Sequence, residues 1–132
     1  MSLLIGVNNQ YQRTALEKYP EEFLELLETA IELAGGEKGK VMVLSIPDYA
    51  YTPFGQQAGN SEIISKEIDI YNAINKKISD SLEVAYFDIT PISRQGLNNP
   101  ALVASDGLHP SGEMYRLWVD LMVDRVIEIL LN

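Results

Sequence analysis

Apolar residues fall into two kinds of pattern along this 132-residue chain: short unbroken runs, and longer stretches where they recur every three or four positions. The runs are Leu3-Leu4-Ile5 with Val7, Val41 to Ile46 interrupted only by Ser45, and Leu82 to Ile89. Such runs mark strands buried on both faces of a parallel sheet. The periodic stretches are Tyr19 to Ile31, ended by Gly35-Gly36, then Ile64 to Ile78, and Met114 to Leu130 with Trp118 on its apolar stripe. Each predicts an amphipathic helix. Thr14-Ala15-Leu16-Glu17 has capping-box spacing ahead of the first helix, Ser61 stands where the second needs an N-cap, and Pro110-Ser111 opens the third.

Strand and helix thus alternate three times, which predicts an α/β domain over residues 1–132, with a parallel sheet, right-handed crossovers and ligand loops at the strand carboxyl ends. Three strands make a thin sheet against the usual five or six or so. The connecting stretches are polar: a loop at Asn8-Asn9-Gln10, a loop of about a dozen residues from Pro47 to Asn60, and an irregular segment from Ser93 to Pro110. The middle loop is long enough to suggest binding.

Composition narrows the function. With 46% hydrophobic and 22% charged residues, the chain suits one ordinary soluble domain. Ten Lys and Arg against 19 Asp and Glu give a formal net charge of -9, the wrong sign for a nucleic-acid backbone or an anionic membrane surface. No cysteine and a single histidine exclude disulfides, a thiolate nucleophile and a multi-imidazole zinc site. No spaced acidic loop suggests Ca or Mg. No cofactor is expected, and no apolar run approaches the roughly 20 residues of a membrane span.

The histidine lies in Ser105-Asp106-Gly107-Leu108-His109-Pro110-Ser111. Asp106, across a tight Gly turn, is close enough to accept the imidazole Nδ1 proton, which would leave Nε2 outward as a base. Pro110 holds His109 extended, just ahead of the helix. The competing reading is a carboxylate that only caps a turn, beside a polar loop histidine. The second constellation is Gly6-Val7-Asn8-Asn9 at the end of the first strand, where Asn8 could offer its side-chain NH2 to an oxyanion, or the pair could simply form a turn.

Gly6-Val7-Asn8-Asn9 resembles the G-x-N-D block, and Asp106-Gly107-Leu108-His109-Pro110-Ser111 the D-x-x-H block, of the SGNH hydrolases, also called GDSL-like lipases and acylhydrolases. The resemblance runs from the first strand to the last helix. It implies a three-layer, flavodoxin-like fold with helices on both faces of the parallel sheet, and an ester hydrolase working through a Ser-His-Asp triad without a cofactor. His109 would be the general base, Asp106 its orienting carboxylate and Asn8 an oxyanion donor, with Gly6 structural.

Two features depart from the family pattern. Asn9 stands where the family has Asp, which bears on the bracing of that loop. The family's G-D-S block, which carries the nucleophilic serine, comes before the G-x-N-D block, and only five residues precede Gly6 here. The expectation is therefore a truncated domain whose N-terminal strands are missing. No other serine fits the nucleophile's place: Ser2 precedes the strand, Ser45 lies within one, Ser61 looks like a cap, and Ser105 and Ser111 share the His109 segment.

Tyr49, Tyr51 and Phe54 lie in the loop where the resemblance puts one wall of a substrate cleft; they either contact an acyl or sugar group or tuck the loop onto the domain. The substrate would be a small-molecule, carbohydrate or lipid ester. Without a serine, little or no activity is expected of the chain alone. The competing reading is a non-catalytic binding or assembly module that keeps the hydrolase fold. An exposed first strand predicts a homo-oligomer formed across it.

Overall fold

In a computed structural model describing residues 1–131, three parallel strands form one sheet. They are β1 (Ser2–Leu3), β2 (Met42–Leu44) and β3 (Ala85–Phe87), in spatial order β1-β2-β3. Ser2 pairs with Met42 and Leu3 with Val43; on the other side Met42, Val43 and Leu44 pair with Ala85, Tyr86 and Phe87. The helices are α1 (Val7–Tyr11), α2 (Tyr19–Leu33), α3 (Pro53–Gln57), α4 (Ser61–Ser81), α5 (Thr90–Ser93) and α6 (Gly112–Leu131).

The period-two alternation of strand side chains divides the core in two. Val41 and Val43 join Tyr19, Phe23 and Leu27 of α2 and Ile64, Ile68 and Tyr71 of α4 on one face of the sheet. Leu44 and Phe87 join Met114 and Trp118 of α6 on the other, with Met42 and Ala85 packed against them. The fold is thus an α/β arrangement with helices on both faces. None of the helices is long and apolar enough to cross a membrane among the described residues.

Several local expectations need correction. The first strand does not run to Val7, because Gly6 turns the backbone with φ 120° and Val7 begins α1, so Asn8, Asn9 and Gln10 are helical rather than loop. Thr14 forms no capping box: its hydroxyl bonds back to the Asn9 carbonyl at 3.2 Å, and the 3-10 turn Leu16–Lys18 leads into α2, with Pro20 in the first turn. Asn60, not Ser61, is the N-cap of α4. The 47–60 segment is ordered by its own caps, Asp48 bonding Ala50 N–H at 3.0 Å and Thr52 bonding Gly55 N–H at 3.1 Å, which start a 3-10 turn and α3. The third strand is shorter than the apolar run, since Leu82 ends α4 and Thr90 begins α5.

Candidate active site

All three strands deliver their chains to the same edge of the sheet, and the segment between α5 and α6 returns there. An antiparallel bridge between Val103 and Pro110 closes that return into a tight loop, with Ala104 N–H bonded to the His109 carbonyl at 2.8 Å. Gly107 adopts φ 75° at its tip, a left-handed conformation that side-chain-bearing residues rarely take. One oxygen of Asp106 accepts the backbone N–H groups of Leu108 at 2.9 Å and His109 at 3.0 Å. The other lies 2.6 Å from His109 Nδ1.

These donors hold the Asp106 carboxyl down at a pKa of about 2, the Leu108 and His109 amides contributing most and the imidazole next. The carboxylate is therefore ionised throughout the neutral range. With Nδ1 directed at Asp106, Nε2 is the nitrogen left to exchange a proton. The imidazole is open to solvent, its side chain 71% exposed.

Gly6 and Asn8 approach from β1. A Cβ on Gly6 would overlap the Tyr19 hydroxyl and come within 2.6 Å of Ile46 Cδ1. Tyr19 Oη sits 2.7 Å from Asn75 Oδ1 and 3.2 Å from the Ile5 carbonyl, buried under the turn, and burial pushes its phenol well above the ordinary range. The turn at Gly6 starts α1, so Asn8 projects from the first turn of a short helix at the sheet edge. Asn9 does not line the cleft; its amide donates to Glu22 Oε2 at 3.1 Å.

Asn8 and His109 line one cavity of about 390 Å³, although 101 positions separate them in sequence. Tyr49 and Phe54 line it as well, and Tyr51 does not: its ring lies 5.9 Å from the Arg94 guanidinium, outside the cleft. Tyr49 Oη donates to Gln10 Oε1 at 2.8 Å, and Gln10, buried on α1, donates in turn to Glu67 Oε2 at 2.7 Å. Burial raises the Tyr49 phenol. Phe54 N–H donates to the Gly107 carbonyl at 3.0 Å, which ties the aromatic segment to the histidine loop.

Several lining residues carry no motif. Tyr11 stands three positions after Asn8 on α1 and touches both aromatics, its ring centroid 6.1 Å from Tyr49 and 6.4 Å from Phe54. Leu102, Val103, Leu108 and Met114 add an aliphatic side. Helical spacing from Asn8 could have indicated Tyr11; nothing local indicates Leu102, which enters from an irregular segment.

Asp48 forms part of the cleft floor and is 1% exposed. Its carboxylate accepts from Arg94 Nε at 3.0 Å, Ser65 Oγ at 2.6 Å and the Ala50 amide, so the buried charge is paired and hydrogen-bonded. Arg94 also reaches Asp69 at 2.6 Å, which joins α4, α5 and the segment after β2 into one bracket.

Three serine hydroxyls near this edge, those of Ser93, Ser45 and Ser111, are engaged elsewhere. Ser93 lines the cleft, but it donates to the Thr90 carbonyl at 2.6 Å and accepts the Asp48 amide at 2.8 Å. Ser45 is fully buried against Asp88 and the Ile89 and Thr90 amides. Ser111 donates to the Ala101 carbonyl at 2.6 Å and caps α6 through the Met114 amide. The described residues contain no cluster of three or more His, Cys, Asp and Glu able to hold a metal ion.

The sequence pattern of the GDSL-like lipase/acylhydrolase family matches residues 1–117, which include Gly6, Asn8, Asp106 and His109. The chain belongs to this family. Solved structures of the same fold include an acetyl xylan esterase from Geobacillus stearothermophilus, 19% identical with a TM-score of 0.65. An alpha/beta hydrolase enzyme from the metagenome of Lake Arreo, Spain, is 18% identical with a TM-score of 0.64. Each comparison covers 95% of this GDSL-like chain and 58% of the other, so the chain spans somewhat over half the length of these structures. No curated protein sequence matches it.

Proposed function

We propose that this cleft performs carboxylic ester hydrolysis of the GDSL-like type, with His109 as general base, Asp106 as the carboxylate that orients it and Asn8 as the oxyanion donor. The observation that carries the reading is the 2.6 Å contact between His109 Nδ1 and Asp106 Oδ2 beside a cleft that also holds Asn8. Nε2 takes a proton from the attacking hydroxyl as its oxygen bonds to the ester carbonyl carbon. The carbonyl π pair moves onto oxygen, where the Asn8 amide donates to the developing negative charge. Collapse of that intermediate breaks the bond to the alcohol oxygen, which leaves with the proton held on Nε2.

In the full family reaction the hydroxyl is a serine's. In this chain the cleft serine is already engaged, and water is the attacking group, so hydrolysis is slow and forms no acyl-enzyme. Turnover of 4-nitrophenyl acetate above the buffer rate should fall to the buffer rate in His109→Ala and be insensitive to a fluorophosphonate. A wild-type rate equal to that of His109→Ala overturns the catalytic reading and leaves the binding-module alternative.

The partner we propose is a second copy of this chain. Among the described residues β1 pairs only with β2, which leaves its outer edge unpaired, with Met1 and Leu4 exposed. An apolar groove lined by Met1, Met42, Leu44, Val119, Met122 and Val126 continues from that edge onto α6. A second β1 would extend the sheet while its α6 covers the groove.

A further inference from the structure

The cleft also carries information on which ester it takes. Its aromatic residues form one continuous surface: Tyr11 contacts Tyr49 edge-on at 6.1 Å, with an interplanar angle of 73°, and Phe54 at 6.4 Å. The Tyr49 ring is held by its hydroxyl's hydrogen bond to Gln10, and the backbone that carries Phe54 is tied to Gly107. No Lys or Arg lines the cleft among the described residues, and Asp48, the carboxylate on its floor, is already neutralised by Arg94. No Lys or Arg is there to pair with an anionic substituent beside the aromatic rings, and the protein's net charge of -9 repels one at long range. At roughly 30 Å³ per water-sized group, 390 Å³ admits about a dozen non-hydrogen atoms.

We infer that Tyr11, Tyr49 and Phe54 form a binding surface for the apolar part of a small, uncharged ester, preferably a flat aromatic or short acyl group, and that the cleft rejects esters bearing a carboxylate on that part. This rests on the ester-cleft reading and adds the substrate class. Flat groups gain offset or edge contacts with these rings, of which Tyr49 is already held in place by Gln10. A carboxylate placed against the same rings would lose its hydration with no cation to replace it.

The test uses binding, which needs no turnover. Methyl benzoate and monomethyl terephthalate differ by one carboxylate; each is titrated into the full chain while the His109 ring protons are followed by NMR. Methyl benzoate is expected to shift the His109 signals and to bind about tenfold or more tightly than its anionic counterpart. Phe54→Ala and Tyr11→Ala should weaken methyl benzoate roughly three- to tenfold while leaving the His109 signals of the free protein in place. Equal affinity for the two esters, or unchanged affinity in both alanine variants, overturns the substrate class while leaving the ester site standing. Failure of methyl benzoate to perturb His109 overturns the substrate class and, with it, the site reading on which it rests.

Discussion

His109 Nδ1 lies 2.6 Å from one oxygen of Asp106, while the other oxygen of the same carboxylate receives the Leu108 and His109 backbone amides. The turn therefore builds the acceptor for the imidazole before the imidazole is added. The pKa of Asp106 is lowered from 3.8 to about 2 in the folded chain, so its contribution to stability is fully present above the unfolded value and is lost as pH falls from there through about 2. A carboxyl-carbon NMR titration should give an Asp106 midpoint near 2. In His109→Gln the midpoint should rise yet stay below 3.8, because the two amides remain; a wild-type midpoint at 3.8 would contradict the geometry.

Gly6 should not tolerate a side chain. Alanine there combines φ 120° with overlap onto Tyr19 and Ile46, beneath the start of α1. Gly6→Ala is expected to lower stability by about 2–3 kcal/mol in urea unfolding. Gly112→Ala, where an added Cβ meets nothing within 4 Å, should change the midpoint little or raise it. Similar losses in both variants would refute the packing argument.

The bracket made by Arg94 is expected to matter more than the exposed ion pairs of α6. Arg94→Ala leaves the fully buried Asp48 carboxylate without its cation, and a loss of about 3 kcal/mol follows. Arg116→Ala, which removes pairs to Glu113 and Asp120 on the helix surface, should move the midpoint far less. Denaturation midpoints of the two variants decide the order.

A charge on the open strand should block self-association. Leu4 is 42% exposed beside β1, and Leu4→Lys is expected to convert a dimer into a monomer of unchanged secondary structure, read by light scattering and circular dichroism. A wild-type monomer at micromolar concentration would contradict the proposed interface.

The strands and the three long helices were legible because each buries one stripe or two faces, and burial imposes a period that the sequence must carry. Val43 facing α2 and Leu44 facing α6 are neighbours in an unbroken apolar run for that reason. The short elements were hidden because their causes are single contacts. Gly6 starts α1 through its φ, and Thr52 starts α3 through one hydroxyl, neither of which alters a hydrophobic pattern. Asp106 and His109 could be paired by eye, being three residues apart across a glycine. Tyr51 could not be told from Tyr49 in advance: both lie on one 3-10 turn, where two positions of separation point the Tyr51 ring toward Arg94 rather than into the cleft.

Rates of 4-nitrophenyl acetate hydrolysis by wild type, His109→Ala and Asn8→Ala decide whether the cleft of His109 and Asn8 turns over esters. A slow wild-type rate without a burst is predicted, with a loss of at least about 100-fold in the catalysed part for His109→Ala and at least about tenfold for Asn8→Ala. Identical rates in all three proteins would contradict it.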